Sequence, residues 1–293
     1  MDTLEQTRRH LESFAELQAI VRTMKAMAAV SIRQFERSAR SLQAYYRTVE
    51  AGLSVVFRDV TTVPDPASNA RGGRGIVVFG SDHGLCGRFN EEIVDHARRY
   101  ILHSEVDRPR LLVVGARPAA LLEASDRPPE KIMLVPGSAA RITATVRRIL
   151  FEIDEWRTRE RIERVELIHN RPRPANRYTP THFELLPVDL QRLQRLARAP
   201  WPSPTLPMYT MPRERLLSAL LRQYLFVAIA RACAESLAAE NASRLVAMQA
   251  AEKSMADRSE ALLAEYRRRR QDAITSELLD VVSGYEALRS AGD

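Results

Sequence analysis

From Asp2 to Ala51 the sequence contains neither glycine nor proline. Over that stretch and just past it, apolar or small residues recur at Phe14, Leu17, Val21, Met24, Ala28, Ile32, Phe35, Ala39, Leu42, Tyr46, Val49, Leu53 and Val56. Every step is three or four residues, which on a 3.6-residue helix keeps them on one narrow seam. About 50 residues of helix span roughly 75 Å. That is far beyond an ordinary globular helix, and it predicts a coiled coil.

The end of the chain repeats the pattern. Pro212 suits a helix start, and no glycine or proline follows until Gly284. The buried stripe reads Leu217, Leu220, Tyr224, Val227, Ala234, Leu237, Leu245, Met248, Met255, Leu262 and Tyr266. Alanines crowd the segment 228–251, where small side chains let a partner helix approach and also favour the helix itself. Neither helix buries its stripe alone. The simplest solution packs the two antiparallel, with the longer C-terminal helix projecting past the first.

Between them the pattern changes. "TTVPDPASNARGGRG" (61–75) is turn-rich. Short apolar runs follow at 75–80, 110–116, 131–135 and 164–170, alternating with helical stretches at 90–103, 117–124 and 138–157. Strands alternating with helices predict an α/β layer with a largely parallel sheet, and "HFELLPV" (182–188) adds an edge strand. The proline-rich connector 199–212 separates this middle from the last helix. The fold class is therefore α/β with a long antiparallel coiled coil, divided as 1–57, 75–198 and 212–290.

Composition limits the function. A formal charge of +7 favours an acidic partner, whether nucleic acid, an anionic membrane or an acidic protein face. Two distant cysteines, Cys86 and Cys233, make no disulfide framework. The first residues, "MDTLEQTRRHLESF", lack the apolar core of a signal peptide. No window approaches the roughly 20 uninterrupted apolar residues of a membrane span.

The stretch that most resembles a chemical site is "VVFGSDHGLCGRFN" (77–90). A phosphate loop needs G-x-x-x-x-G-K-[ST], but Arg88 and Phe89 follow Gly87, and G-x-G-x-x-G is missing too. His83 and Cys86 form half a metal site at most, and no G-x-S-x-G elbow occurs. The reading that remains is a buried or half-buried small thiol beside glycines that permit a sharp strand-to-helix turn, where valine at Gly84 or Gly87 would impair folding if the turn needs a positive φ. The other conspicuous stretch is "YRRRRQDAITSELLDVV" (266–282), four arginines followed by an apolar tip (Ile274, Leu278, Leu279, Val281, Val282). An exposed apolar end on a helix implies a sleeve that receives it.

Several of these segments together resemble the gamma subunit of rotary F-type ATP synthases. "TMKAMAAVSIRQ" (23–34) is similar to that family's A-M-x-M-V-A-A-S-K. Asp82, Gly84, Leu85, Cys86, Gly87 and Asn90 match D-x-G-L-C-G-x-x-N, and "ENASRLVAM" (240–248) matches E-x-A-x-R-x-V-A-M. Tyr266, Arg270, Gln271, Ile274, Thr275 and Glu277 match Y-N-x-x-R-Q-x-x-I-T-x-E, followed by Gly284. Departures stand at Val30, Ser31, His83, Arg88, Arg267 and Tyr285, and they leave open a divergent, ion-specialised F-type ATPase.

The resemblance implies a Rossmann-like middle domain that binds no nucleotide, and a central-stalk rotor with no catalytic residue, cofactor or metal of its own. It implies alpha and beta subunits of the catalytic ring, an epsilon subunit and a membrane c-ring as partners. Nucleic acid is not among them, and there is no direct membrane span. The location it implies is peripheral, on the cytoplasmic face of the bacterial inner membrane. By carry-over, Met24, Arg267, Arg268, Arg270, Gln271, Thr275 and Glu277 face the ring, while Asp82, Gly84, Cys86, Gly87 and Asn90 form a structural turn. Two rival readings are a basic coiled-coil protein associated with nucleic acid, favoured by charge, and an enzyme using the middle domain, favoured by the glycine turn.

Overall fold

In the computed structural model, residues 4–58, 72–103, 109–125, 127–199, 201, 205 and 207–290 are described, without the side chains of 4 and 284–290. The expectation for 61–71, the larger part of the turn-rich segment, lies outside them, as do the side chain of Tyr285 and part of the 199–212 connector. The first helix, α1, is Leu4–Phe57, and the last, α6, is Arg213–Ser290. Between them come β1 (Gly73–Phe79), α2 (Phe89–His103), β2 (Arg110–Val114), α3 (Ala116–Glu123), β3 (Lys131–Met133), α4 (Ile142–Glu160), β4 (Ile162–Arg173), β5 (Arg177–Leu186) and α5 (Leu190–Arg198).

Two compact units arise, and they cut across the helices. One comprises Met1–Met27 with Ala247–Asp293, the other Ala28–Val246. The sequence division at 1–57, 75–198 and 212–290 separates kinds of element and not these compact bodies. In the smaller unit Lys25 pairs with Glu252 at 2.5 Å, and the Arg269 guanidinium donates to the Thr7 hydroxyl at 3.3 Å. Pairing of 25 with 252 and of 7 with 269 makes the two segments antiparallel. Leu17, expected in the seam, is 46% exposed, so the stripe is incomplete in this unit.

In the larger unit the sheet order is β3-β2-β1-β4-β5, parallel except for the antiparallel edge strand β5. A central parallel strand is buried on both faces and reads as a continuous apolar run, as "IVVF" does in β1. Ile76 and Val78 face one way, packing with Ile93, Val94 and Ala97 of α2 and Leu122 of α3. Val77 and Phe79 face the other way, into a larger core with Val146 and Ile149 of α4, Val49 and Leu53 of α1, and Val227 and Cys233 of α6. Helix α6 has an 18-residue window of mean hydropathy 1.4, sufficient by length and composition to cross a membrane. Its Tyr224–Ala238 stretch instead supplies that core.

The sheet's edge strand is longer than expected from 182–188, since β4 and β5 form a hairpin turning at Ala175 and Asn176. Helix α5 was not foreseen. Its "LQRLQRLAR" pattern buries Leu193 and Ala197, and Asp189 caps it by accepting the Arg192 amide at 2.7 Å.

Polar pairs also line the α1–α6 seam of this unit. The Arg231 guanidinium donates to Gln43 at 2.7 Å, and the buried Tyr46 hydroxyl donates to that of Tyr224 at 2.8 Å. Burial, with the partner hydroxyl next, pushes the Tyr46 phenol well above its ordinary range, so it stays a neutral donor. Tyr46→Phe should therefore cost about 1–3 kcal/mol by leaving a buried hydroxyl short of a partner. The double variant Tyr46→Phe/Tyr224→Phe should lose less than the sum of the single losses. Denaturant unfolding of the four proteins checks this, and strict additivity would mean that the pair contributes no mutual stabilisation.

Candidate functional site

Strand β1 delivers the chain into the glycine turn. The Gly80 amide donates to the Val114 carbonyl at 2.8 Å, extending the pairing with β2 by one residue. A Cβ on Gly80 would lie 2.4 Å from Pro118 Cγ and 2.9 Å from Asn90 Oδ1, so any side chain there must displace one of them. Ser81 is fully buried, and its amide donates to Asn90 Oδ1 at 3.0 Å. Its hydroxyl donates to the His83 carbonyl at 2.7 Å and accepts from Asn90 Nδ2 at 2.8 Å. Asn90, in the first turn of α2, thus closes the loop on itself.

Asp82 works at longer range. One carboxylate oxygen accepts the Ala116 amide and the other the Val135 amide, both at 3.0 Å. Ala116 opens α3, whose adjoining Gly115 offers no capping side chain, so Asp82 satisfies that end from another loop. Positive φ occurs at Leu85 (62°) and Gly87 (58°). Gly84 is not in that region, and a Cβ there would meet nothing closer than 3.9 Å. Of Gly84 and Gly87, the two glycines at which a positive φ would make substitution costly, only Gly87 has one. The steric requirement sits at Gly80.

The turn is fastened to α6. The Ser243 hydroxyl donates to the Cys86 carbonyl at 2.6 Å, and Arg244 reaches the Gly84 carbonyl at 3.5 Å while pairing with Glu240 at 2.7 Å. "SDHGLCGRFN" and "ENASRLVAM", read as separate motifs, are therefore two sides of one contact. Burial pushes the Glu240 carboxyl up, with Arg244 opposing the shift. Cys86 packs with Phe89 and Ala239, and Tyr178 stands edge-on to Phe89 at a 5.4 Å centroid distance.

This geometry has structural consequences and little chemistry. Burial pushes the Cys86 thiol up, disfavouring the reactive thiolate. Four amides beside the turn are engaged within the fold: Gly80 with the Val114 carbonyl, Ser81 with Asn90, Ala116 with Asp82 and Arg117 with the Ser81 carbonyl. Among the described residues, no group of three or more His, Cys, Asp or Glu could hold a metal ion.

The second candidate surface is the end of α6. Arg267, Arg268 and Arg270 are exposed, whereas Arg269 turns inward to Glu265 at 2.5 Å and to Thr7. Every side chain from Arg270 to Ser283 is exposed, including Gln271, Thr275 and Glu277. Ile274, Leu278, Leu279, Val281 and Val282 are 48–70% exposed, a run of uncovered apolar surface. Met24, on α1, is half-buried.

The family model for ATP synthase matches residues 3–288. Two curated relatives are each described as an ATP synthase gamma chain. That of Geotalea uraniireducens is 25% identical and covers 99% of this chain and 100% of its own length. That of Caulobacter sp. strain K31 is 28% identical and covers 98% and 100%. The chain belongs to the ATP synthase gamma family. Solved structures carry the same fold. A chain of the Euglena gracilis mitochondrial ATP synthase, OSCP/F1/c-ring in rotational state 3, has a TM-score of 0.71 at 18% identity, covering 99% of this chain and 96% of that one. One from the Tetrahymena thermophila mitochondrial ATP synthase, central stalk and c-ring, has 0.56 at 21% identity, covering 79% and 99%.

For this gamma-family chain, the turn's geometry yields an ordered expectation. Gly80→Ala should be the worst of three alanine variants, costing about 1–3 kcal/mol as the new methyl displaces Pro118 or Asn90. Gly87→Ala should cost about 1 kcal/mol for its left-handed backbone. Gly84→Ala should be neutral or stabilising by about 0.4–1 kcal/mol, since it mainly restricts the unfolded chain. Thermal unfolding of the three variants checks the order, and a large loss at Gly84 would contradict it.

Proposed function

We propose that this chain is the rotor of an F-type ATP synthase, and that it turns inside a ring of alpha and beta subunits with its base on a membrane c-ring and an epsilon subunit alongside. Family membership supplies the coarser statement, the central-stalk gamma role in ATP synthesis within an assembly peripheral to the membrane part. The finer reading is that the chain is non-catalytic and couples ion transport across the bacterial inner membrane, from its cytoplasmic face, to turnover in the ring. The observation that carries it is the end of α6. There, three outward arginines give way to an apolar stretch that the chain itself leaves uncovered. A cationic collar suits an acidic lever, and an apolar tip suits a greasy bearing. In this reading Met24, Arg267, Arg268, Arg270, Gln271, Thr275 and Glu277 meet the ring, and Asp82, Gly84, Cys86, Gly87 and Asn90 hold the structural turn.

The inward position of Arg269 refines the test. Each exposed charge pair contributes only about 0.2–1 kcal/mol, so single alanine variants at 267, 268 or 270 should be nearly silent. The triple reversal Arg267→Glu/Arg268→Glu/Arg270→Glu converts attraction into repulsion, a cost of about several kcal/mol for facing like charges. In the reconstituted complex, ATP hydrolysis should persist while ion pumping per ATP falls, and added salt should restore part of the loss by screening. Unchanged pumping per ATP at every salt concentration would reduce the collar to a solvated helix face.

A further inference from the structure

The β4–β5 hairpin ends in a cluster of cations that the rotor reading does not use. Ala175 and Asn176 make its turn, both left-handed, with φ of 60° and 54°. Arg171, Arg173 and Arg177 flank them, and the chain has no Asp or Glu from Arg171 to Phe183. The register sets Arg173 directly opposite Arg177, and Arg171 opposite Thr179. Directly opposed residues share a face of an antiparallel pair, and alternate residues along a strand do as well. All three guanidinium side chains therefore leave the same face.

Their partners within the chain do not neutralise them. Arg173 and Arg177 are exposed, and Arg173 Nε donates only to the neutral Thr179 hydroxyl at 3.3 Å. Arg171, 55% exposed, stands 3.9 Å from Glu235, a carboxylate already bonded to His169 at 2.9 Å. Like charges directly opposite each other destabilise a hairpin. Ala175 adds a left-handed residue where asparagine or glycine is easier. Pro172 and Pro174 interleave with the arginines and restrict the backbone that presents them. Local rules broken together at one exposed place are the mark of a site kept for binding.

We propose that this hairpin tip docks an acidic segment of a protein partner. Charge complementarity selects the chemistry. Beside Arg171 and Arg40 runs a groove of about 350 Å³ that also contains Glu36 and Glu235. Those two carboxylates would repel a continuous phosphate backbone, whereas a short acidic peptide can place its charges on the arginines and avoid them. The surface lies outside the collar and tip of α6, and it stands or falls independently of the rotor reading.

The test uses the full chain and a glutamate decapeptide carrying a terminal benzophenone, with photo-adducts mapped by mass spectrometry. Adducts are expected on residues 169–181 in addition to any on the arginines of α6. In Arg173→Glu/Arg177→Glu the hairpin adducts should fall about tenfold or more while the α6 adducts persist. The exposed α4 pair Arg147→Glu/Arg148→Glu, with the same change in charge, should leave them unaltered. Arg177→Glu alone turns the opposed like charges into an ion pair, so the midpoint of thermal unfolding should rise by about 1–3 °C even as the adducts fall. Adducts confined to α6, an equal loss in the α4 control, or displacement of the peptide by duplex DNA of equal charge at lower concentration would each overturn the proposal.

Discussion

One sheet face in the larger unit is buried because α1 and α6 come together with α4 beneath it. Val77, Phe79, Leu112, Val114, Val165 and Leu167 point into a core whose other walls are α4, α1 and α6. Helix α6 approaches closely there because its wall is small: Ala228, Ala230, Ala232, Cys233, Ala234 and Ala238. Each added methylene in such a wall would force displacement, at about 1–3 kcal/mol for overpacking. The alanine run is therefore the fit that joins a helix pair to a sheet. Cys233 belongs to the same fit: full burial pushes its thiol up to about 12, leaving it a small apolar residue.

That closure also explains why two distant motifs look chemical when read alone. Asp82, Ser81, Asn90, Ser243 and Arg244 are polar residues at a buried junction, where every group needs a partner. Asp82 serves amides from two other loops, and Ser243 serves the Cys86 carbonyl. A constellation of Ser, Asp, His and Cys within six residues is ordinarily a reason to suspect a nucleophile. Here the hydroxyl and carboxylate are occupied in holding backbone, and the imidazole is left exposed at the surface.

Legibility followed the range of the interactions. The helices could be read because a seam demands three- and four-residue steps, and the central strands because burial on both faces demands an unbroken apolar run. Helix α5 escaped notice beside a proline-rich connector, although Asp189 and the spacing of Leu193 and Ala197 signalled it. The outer half of the β4–β5 hairpin has strand formers in Tyr178, Thr179 and Thr181, but Arg and Pro interrupt them, and the strands there are set by pairing with each other. The partner of Asp82 at Ala116, and the steric need at Gly80, come from contacts dozens of residues away. At Arg269, four identical letters concealed one inward residue, held by Glu265 one turn back and by Thr7 across the seam.

The two candidate surfaces differ in the kind of contact they can make, and the difference suits a coupling element. At the junction of turn and α6, Glu240 is 7% exposed and bonded to Arg244, which also reaches the Gly84 carbonyl. Removing one partner of such a buried pair typically costs about 3–5 kcal/mol, because the remaining charge is stranded away from water. Arg267, Arg268 and Arg270 are exposed, and a pair formed by such a hydrated charge would be worth about 0.2–1 kcal/mol. Several such pairs can steer and hold a partner together, yet each breaks at a cost near thermal energy. A part that must slide past successive partners needs the second kind of surface where it moves and the first where its own pieces must stay fixed. In this chain Ser243 and Arg244 bond the turn to α6 at the buried junction, and the hydrated arginines are turned outward.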